Sequence, residues 1–230
     1  MKLYFHKTPG VIKLLFPGLY WDFRALSTNE IDLTFDDGPK PEATPFVIDL
    51  LESYDFKATF FCVGSLVKKH PKIIRRILNN EHSIGNHTCN HLNGWKNSTG
   101  KYIEDVRRCD AILPITRELK IFRPPYGKAS ALQLKALQKD YKIIMWDFMI
   151  GDFDHHLNVE RSLQLAIKHP IPGTIVIFHD SGKALPQLKY ILPKYLEAVK
   201  KRGLFPLQSL QNIFKPKKLN RTFLENPECY

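Results

Sequence analysis

The sequence predicts an α/β fold built on a parallel sheet, with its chemistry gathered at one rim. Two observations predict it: short apolar runs alternate with amphipathic stretches along most of the chain, and charged and imidazole side chains cluster where the apolar runs end. In parallel α/β folds the C-terminal ends of the strands are where active sites assemble. At 230 residues and 43% hydrophobic, the chain is long enough for one large core, so a single domain is expected.

The elements follow in order. EIDLTF reads as a strand, TPFVIDLLESY as a helix by its apolar spacing, and KATFFCVG as a second strand. PKIIRRILNNE reads as a helix, and HSIGNHT as a strand end or loop. Next come a helix near TGKYIEDVRRCDAILPIT, a strand at KIFRPP and a helix at SALQLKALQKD. A strand at KIIMWDF, a helix at NVERSLQLAIKH, a strand at TIVIFHD and a closing helix at LPQLKYILPKYLEAVKKR complete the alternation. Such alternation argues for a parallel sheet closed or half closed by helices. No internal repeat or low-complexity linker interrupts it, and the last residues read as a tail.

Lys and Arg number 34 against 23 Asp and Glu, a net charge of +11 that suits a polyanionic partner. The basic residues are scattered and lack a recognised basic motif, so the charge reads first as ordinary solvated surface and no nucleic-acid partner is expected; peripheral association with a membrane or an anionic glycan stays open. No run approaches the roughly 18 apolar residues of a transmembrane span. Lys13, Pro9 and Pro17 break any signal-like region at the start, so a mature, cytoplasmic protein is expected. Cys62, Cys89, Cys109 and Cys229 form no CxxC pair and read as ordinary thiols, although Cys89 lies between two histidines and thiolate is a good zinc ligand.

The stretch LTFDDGP sets Asp36 and Asp37 side by side after an apolar run. Adjacent residues of a strand face opposite sides, so both can serve one site only if the backbone bends, and Gly38 and Pro39 supply that bend. Like charges this close require a cation, a proton or strong donors. His87 and His91 stand four apart, a spacing that lets both imidazoles reach one ion. Two histidines and one aspartate make a catalytic zinc set that keeps a position open, while the second aspartate is free to act as a base.

The motifs TFDDGP (34–39), HTCNH (87–91), RPPYG (123–127), WDFMIGDF (146–153) and IVIFHD (175–180) stand in the order of a known family. The chain resembles the polysaccharide deacetylases with the NodB-homology domain, carbohydrate esterase family 4, over roughly residues 30 to 205. The resemblance implies a distorted (β/α) barrel of about seven parallel strands. It divides the chain into an N-terminal extension (1–29) packed on the barrel, a catalytic domain (30–205) and a tail (206–230). It implies that Asp37, His87 and His91 bind a divalent metal, most simply Zn2+ with Co2+ as an alternative, and that Asp36 is the catalytic base held by Arg123. It makes His179 the general acid and Asp152 the residue that orients it. Tyr126 supplies an oxyanion-site N–H, and Pro125, Trp146 and Phe178 join it on the substrate side. The implied reaction is hydrolysis of N-acetyl groups on amino sugars of an oligo- or polysaccharide.

The fourth motif departs from the family pattern: Met149 stands where an aspartate is usual and Phe153 where a tryptophan is usual, which alters the expected substrate groove. Leu92 replaces a common proline. Asp147 and Asp154 read as solvated loop charges, His82, His155 and His156 as surface or supporting histidines, and Asp180 as a carboxylate bonding its following turn. Trp95 reads equally as a sugar platform or a core residue. Two alternatives stay open: hydrolysis of another acylated amide or ester, and a non-catalytic glycan-binding relative. A phosphoryl-transfer reading is weaker, because no phosphate-cradling Gly-rich loop accompanies the aspartates.

Overall fold

Strand β1 (Glu30–Asp36) lies at the centre of the sheet and shows how the core is divided. Ile31, Leu33 and Phe35 point outward into the large cluster beneath the helices, while Asp32, Thr34 and Asp36 alternate to the inner side. Complete burial of such apolar side chains contributes roughly 1.5–3 kcal/mol each. The computed structural model describes residues 4–25, 29–114, 120–169, 171–207 and 214.

The remaining strands are β2 (Thr59–Cys62), β3 (Ser83–Asn86), β4 (Lys120–Phe122), β5 (Tyr141–Ile143), β6 (Phe148–Met149), β7 (Ile175–His179) and β8 (Phe205–Pro206). They run in the order β5-β4-β3-β2-β1-β7-β6, every named pair parallel, and β8 pairs with the first residues of β1. The sheet therefore curls into a half-barrel whose open seam lies between β5 and β6. The helices are α1 (Gly10–Leu15), α2 (Thr44–Ser53), α3 (Gly64–Lys69), α4 (Pro71–Asn79), α5 (Thr99–Asp110), α6 (Ala131–Leu137), α7 (Val159–Lys168) and α8 (Leu185–Lys201). The expected alternation is present, with α1, α3 and β8 as additions. The end of the helix expected over 99–116 and most of the expected tail, with Cys229, lie outside the described residues.

One expected strand is corrected. KIIMWDF does not run straight: β5 ends at Ile143, and the chain crosses the seam before β6 begins at Phe148. Ile144 N–H still bonds Phe122 O across to β4, whereas Asp147 N–H bonds Ile175 O towards β7. The N-terminal segment occupies the gap. Tyr20 exchanges backbone hydrogen bonds with Ile143 and Met145, and His6 and Thr8 bond Met149 and Asp147. An apolar run cannot report such a bend, because both halves remain buried and extended.

The same segment corrects the reading of Asp147. It is buried, not solvated, and pairs with Lys13 and Arg24. His82 is likewise not at the surface. It is buried against Phe60 with neither ring nitrogen partnered among the described residues, and burial, with Lys57 nearby, pushes its pKa down to about 4.

Asp32 lies on the inner side of β1 with Thr59 Oγ1 at 3.4 Å and its second carboxylate oxygen without a partner among the described residues. Burial pushes its pKa up to about 7, against the lowering effects of the Arg123 charge and Thr59. The folded state thus holds a proton that the unfolded chain has released, and its ionisation costs stability as pH rises towards and through 7. Asp32→Asn, neutral at every pH, is expected to gain in melting temperature relative to wild type between pH 5 and pH 8, by at least about 2 °C at the upper end; a flat difference would contradict the shift.

Candidate active site

The rim at the C-terminal ends of β1, β3, β4 and β7 is assembled by backbone geometry that side chains rarely adopt. Asp37, Thr88, His91 and Tyr126 all have positive φ, at 77°, 62°, 55° and 62°. Such non-glycine conformations cost on the order of 1 kcal/mol or more each and persist where the surroundings impose them. At Asp37 this turn brings both adjacent carboxylates towards one centre, as the sequence required. Gly38 is needed beside them because a Cβ there would lie 2.0 Å from Asp180 Oδ2.

Asp37, His87 and His91 converge: one ligand atom from each lies within 4.8 Å of the others. His91 Nε2 is 2.9 Å and His87 Nε2 is 3.6 Å from Asp37 Oδ1. Both rings are aimed by their other nitrogen. His87 Nδ1–H donates to Arg123 O at 2.8 Å, and His91 Nδ1 faces the Tyr126 hydroxyl at 3.1 Å. This turns both Nε2 atoms towards Asp37 Oδ1, so that one carboxylate and two imidazoles, each ring held from behind, could share a divalent ion. Burial alone would raise the Asp37 pKa, but the two imidazole contacts outweigh it and hold the carboxyl well below the usual range.

Arg123 is fully buried and spends its guanidinium on four acceptors. Nη1 donates to Asp36 Oδ1 at 2.8 Å and Thr34 Oγ1 at 2.7 Å, Nη2 to Met145 O at 2.8 Å and Nε to Ile144 O at 3.1 Å. Its plane also lies over the Phe61 ring. Asp36 Oδ2 is left towards His87 Nε2 at 3.8 Å. The loops bearing His91 and Tyr126 are joined by Gln133, whose amide donates to Gly94 O and Asn97 O, and by Gly94 N–H to Lys128 O.

The register of β1 against β7 sets His179 beside Asp36. Asp152 accepts from both the His179 backbone N–H and Nδ1 at 2.8 Å. Burial would lower the His179 pKa, but the Asp152 carboxylate, with Asp37 and Asp36 behind it, carries it up to about 9. Phe153 packs edge-on against the His179 ring, with centroids 5.0 Å apart.

Tyr4 is the residue that sequence reasoning missed. Its ring packs on Phe153 at 5.3 Å, its hydroxyl reaches Asp154, and Gly151 leaves room for it, since a Cβ there would meet the hydroxyl at 2.6 Å. Nothing local in the N-terminal sequence signals a contact with residues about 150 positions away.

Other expectations are redrawn. Phe178 is fully buried between Phe35 and Tyr195 and faces the helices, because it alternates with His179 along β7, so it is a core residue. Pro125 is buried, and Trp146 is half-buried against Gly127. Asp180 accepts from Thr44 Oγ1 across the rim instead of bonding its following turn, and lies outside the Asp–His–His cluster. Cys89 is buried in the core and stands outside the Asp–His–His cluster. Trp95 is 66% exposed, which removes the core reading. Asp154 caps the turn at His156 N–H, and His155 and His156 are exposed.

A curled parallel α/β sheet carries at one rim an Asp–His–His cluster that could hold a metal ion, with an Arg-held carboxylate and an Asp-held imidazole on adjacent strands beside it, an arrangement suited to hydrolysis. A family model described as polysaccharide deacetylase matches residues 24–143, and the chain belongs to that family. It is 35% identical over 176 residues to a peptidoglycan-N-acetylglucosamine deacetylase of Bacillus cereus, covering 75% of this chain and 83% of the relative. It is 30% identical over 202 residues to a chitooligosaccharide deacetylase of Azorhizobium caulinodans, covering 79% and 93%. The crystal structure of the Bc1960 peptidoglycan N-acetylglucosamine deacetylase with 4-naphthalen-1-yl-N-oxidanyl-benzamide superposes with a TM-score of 0.80 at 29% identity, covering 92% of this chain and 99% of that one.

Two outcomes are expected from this geometry. His87→Ala should abolish stoichiometric metal uptake measured by elemental analysis, because it removes a buried donor. Tyr4→Ala should lower kcat by several-fold with metal content unchanged, since it loosens Phe153 behind His179; full retention of kcat would show that Tyr4 does not brace the site.

Proposed function

We propose that the protein removes N-acetyl groups from N-acetylglucosamine units of an oligo- or polysaccharide. The observation that carries this reading is the pairing of Asp36, fixed by Arg123, with His179, fixed by Asp152, beside the Asp37–His87–His91 cluster. A binding protein has no need of an oriented proton acceptor and an oriented proton donor together. The similarity to peptidoglycan and chitooligosaccharide deacetylases supports a glycan substrate.

Asp37, His87 and His91 would hold the divalent ion, for which Zn2+ suits the nitrogen and oxygen donors. When bound, the ion supplies Lewis-acid polarisation of the amide carbonyl and lowers the pKa of water to about 7. Asp36 takes the proton of the attacking water at Oδ2, the oxygen that Arg123 leaves free. The Tyr126 backbone N–H serves the developing oxyanion, and one such donor is typically worth about a hundredfold or more in rate. His179 gives its Nε2 proton to the departing amine, which is a poor leaving group unless protonated. Asp152 keeps Nδ1 engaged, so the proton that leaves is the one facing the substrate.

The test is acetate release from N-acetylglucosamine oligomers and peptidoglycan fragments with added Zn2+ or Co2+. Asp36→Asn is expected to reduce the rate about 10²–10⁴-fold. Protein that holds metal yet releases nothing from any of these glycans would refute the reading and favour another acylated amide or ester, in keeping with Met149 and Phe153 in the groove motif. The acid must be protonated to act, and its pKa stands near 9, so activity should fall as pH rises through that region. Asp152→Asn removes the carboxylate that raises it, and the alkaline limb should move to lower pH along with a fall in kcat.

A further inference from the structure

Helix α1 turns its apolar side chains outward. Val11, Leu14 and Leu15 are 62%, 79% and 68% exposed, and Phe16 just beyond is 41% exposed. The inner side of the helix is already committed: Ile12 packs on the cluster around Leu19 and Tyr102, and Lys13 bridges Asp22 and Asp147. Of the large hydrophobic side chains exposed among the described residues, Phe5 and these four all fall between residues 5 and 16. Single exposed leucines are ordinary, but a contiguous set marks a contact surface.

Charge beside the patch indicates what it contacts. Gln138 Nε2 donates to Gly18 O at 2.9 Å, which places the outer face of α6 next to the end of the α1 segment. Lys135 on α6 and Lys139 in the turn just after it are exposed and flank Gln138 in sequence, with Leu132 70% exposed one turn before Lys135. No Asp or Glu occurs from residue 4 to 21 or from 128 to 139. Asp140, directly after Lys139, faces Arg107 at 3.9 Å. Apolar side chains flanked by Lys135 and Lys139 match an anionic lipid interface, in which aliphatic groups enter the acyl boundary and lysines meet headgroups. No helix among the described residues is long and apolar enough to cross a membrane.

The position of the patch suits this role. The N-terminal segment runs from the rim, where Tyr4 meets Phe153, to the opposite end of the barrel, where Asp22 bridges Thr174 just before β7 begins. Gln138 likewise closes α6 ahead of the N-terminal end of β5. We infer that α1 and the outer face of α6 form a peripheral docking surface for a bilayer rich in anionic phospholipid, which holds the barrel with its catalytic rim turned away from the lipid. This inference does not depend on which glycan the enzyme uses.

The experiment is co-sedimentation of the full chain with vesicles of phosphatidylglycerol and phosphatidylcholine, and with phosphatidylcholine alone. Binding to the anionic vesicles at low salt is expected, weakening at high salt and on neutral vesicles. Leu14→Glu with Leu15→Glu should cut partitioning at least about tenfold, and Lys135→Gln with Lys139→Gln several-fold. Both variants should keep the wild-type thermal melt and metal content, because the altered side chains are exposed. Absence of binding to anionic vesicles, equal binding by the variants, or a wild-type dimer in sedimentation velocity that Leu14→Glu with Leu15→Glu dissolves would overturn the inference, the last by assigning the face to a second copy of the chain.

Discussion

The buried guanidinium of Arg123 is the constraint on which the rest of the rim depends. A cation without solvent must be fully compensated, and four acceptors from two separate stretches of chain, β1 and the β5–β6 crossing, do this. Two of them, Ile144 O and Met145 O, lie in the crossing between β5 and β6, so the same side chain that fixes Asp36 also fixes the path of the chain across the open seam. Its own backbone carbonyl receives His87 Nδ1–H. Removing one partner of such a buried ionic set typically costs about 3–5 kcal/mol, so site geometry and barrel integrity are coupled through one residue.

The seam is the second organising feature. A barrel that fails to close between β5 and β6 leaves backbone groups exposed at two sheet edges, and the N-terminal segment satisfies them by pairing at Tyr20, Thr8 and His6. Asp147 at the crossing is then neutralised by Lys13 and Arg24 from the same segment. The segment therefore closes the sheet and also reaches the rim, where Tyr4 and Phe153 stand behind His179. Phe153 supplies an aromatic edge to the histidine at the position where the family more often has tryptophan.

The electrostatics of the centre are asymmetric. The Asp37 carboxyl is held low, against the effect of its burial, by His87 and His91, so it remains an anionic donor. His179 is held high by Asp152, so its ring stays protonated through neutral pH. The two environments thus keep a carboxylate and an imidazolium near one another, each in its charged form.

Much of this was legible in one dimension. Alternating apolar runs located the strands and helices, and strand ends carrying Asp36, Asp37, His87, Arg123 and His179 located the rim, because residue period and strand polarity are local properties of the chain. The four-residue spacing of His87 and His91 pointed to a shared ligand. Tertiary structure alone decided the rest. Phe178 belongs to the core and His179 to the site because register sets which face each side chain takes. Asp147 is buried because distant Lys13 and Arg24 neutralise it. KIIMWDF bends, and Tyr4 reaches Phe153, because pairing partners far along the chain satisfy the backbone there, and no local pattern of side chains encodes a contact whose other half is more than a hundred residues away.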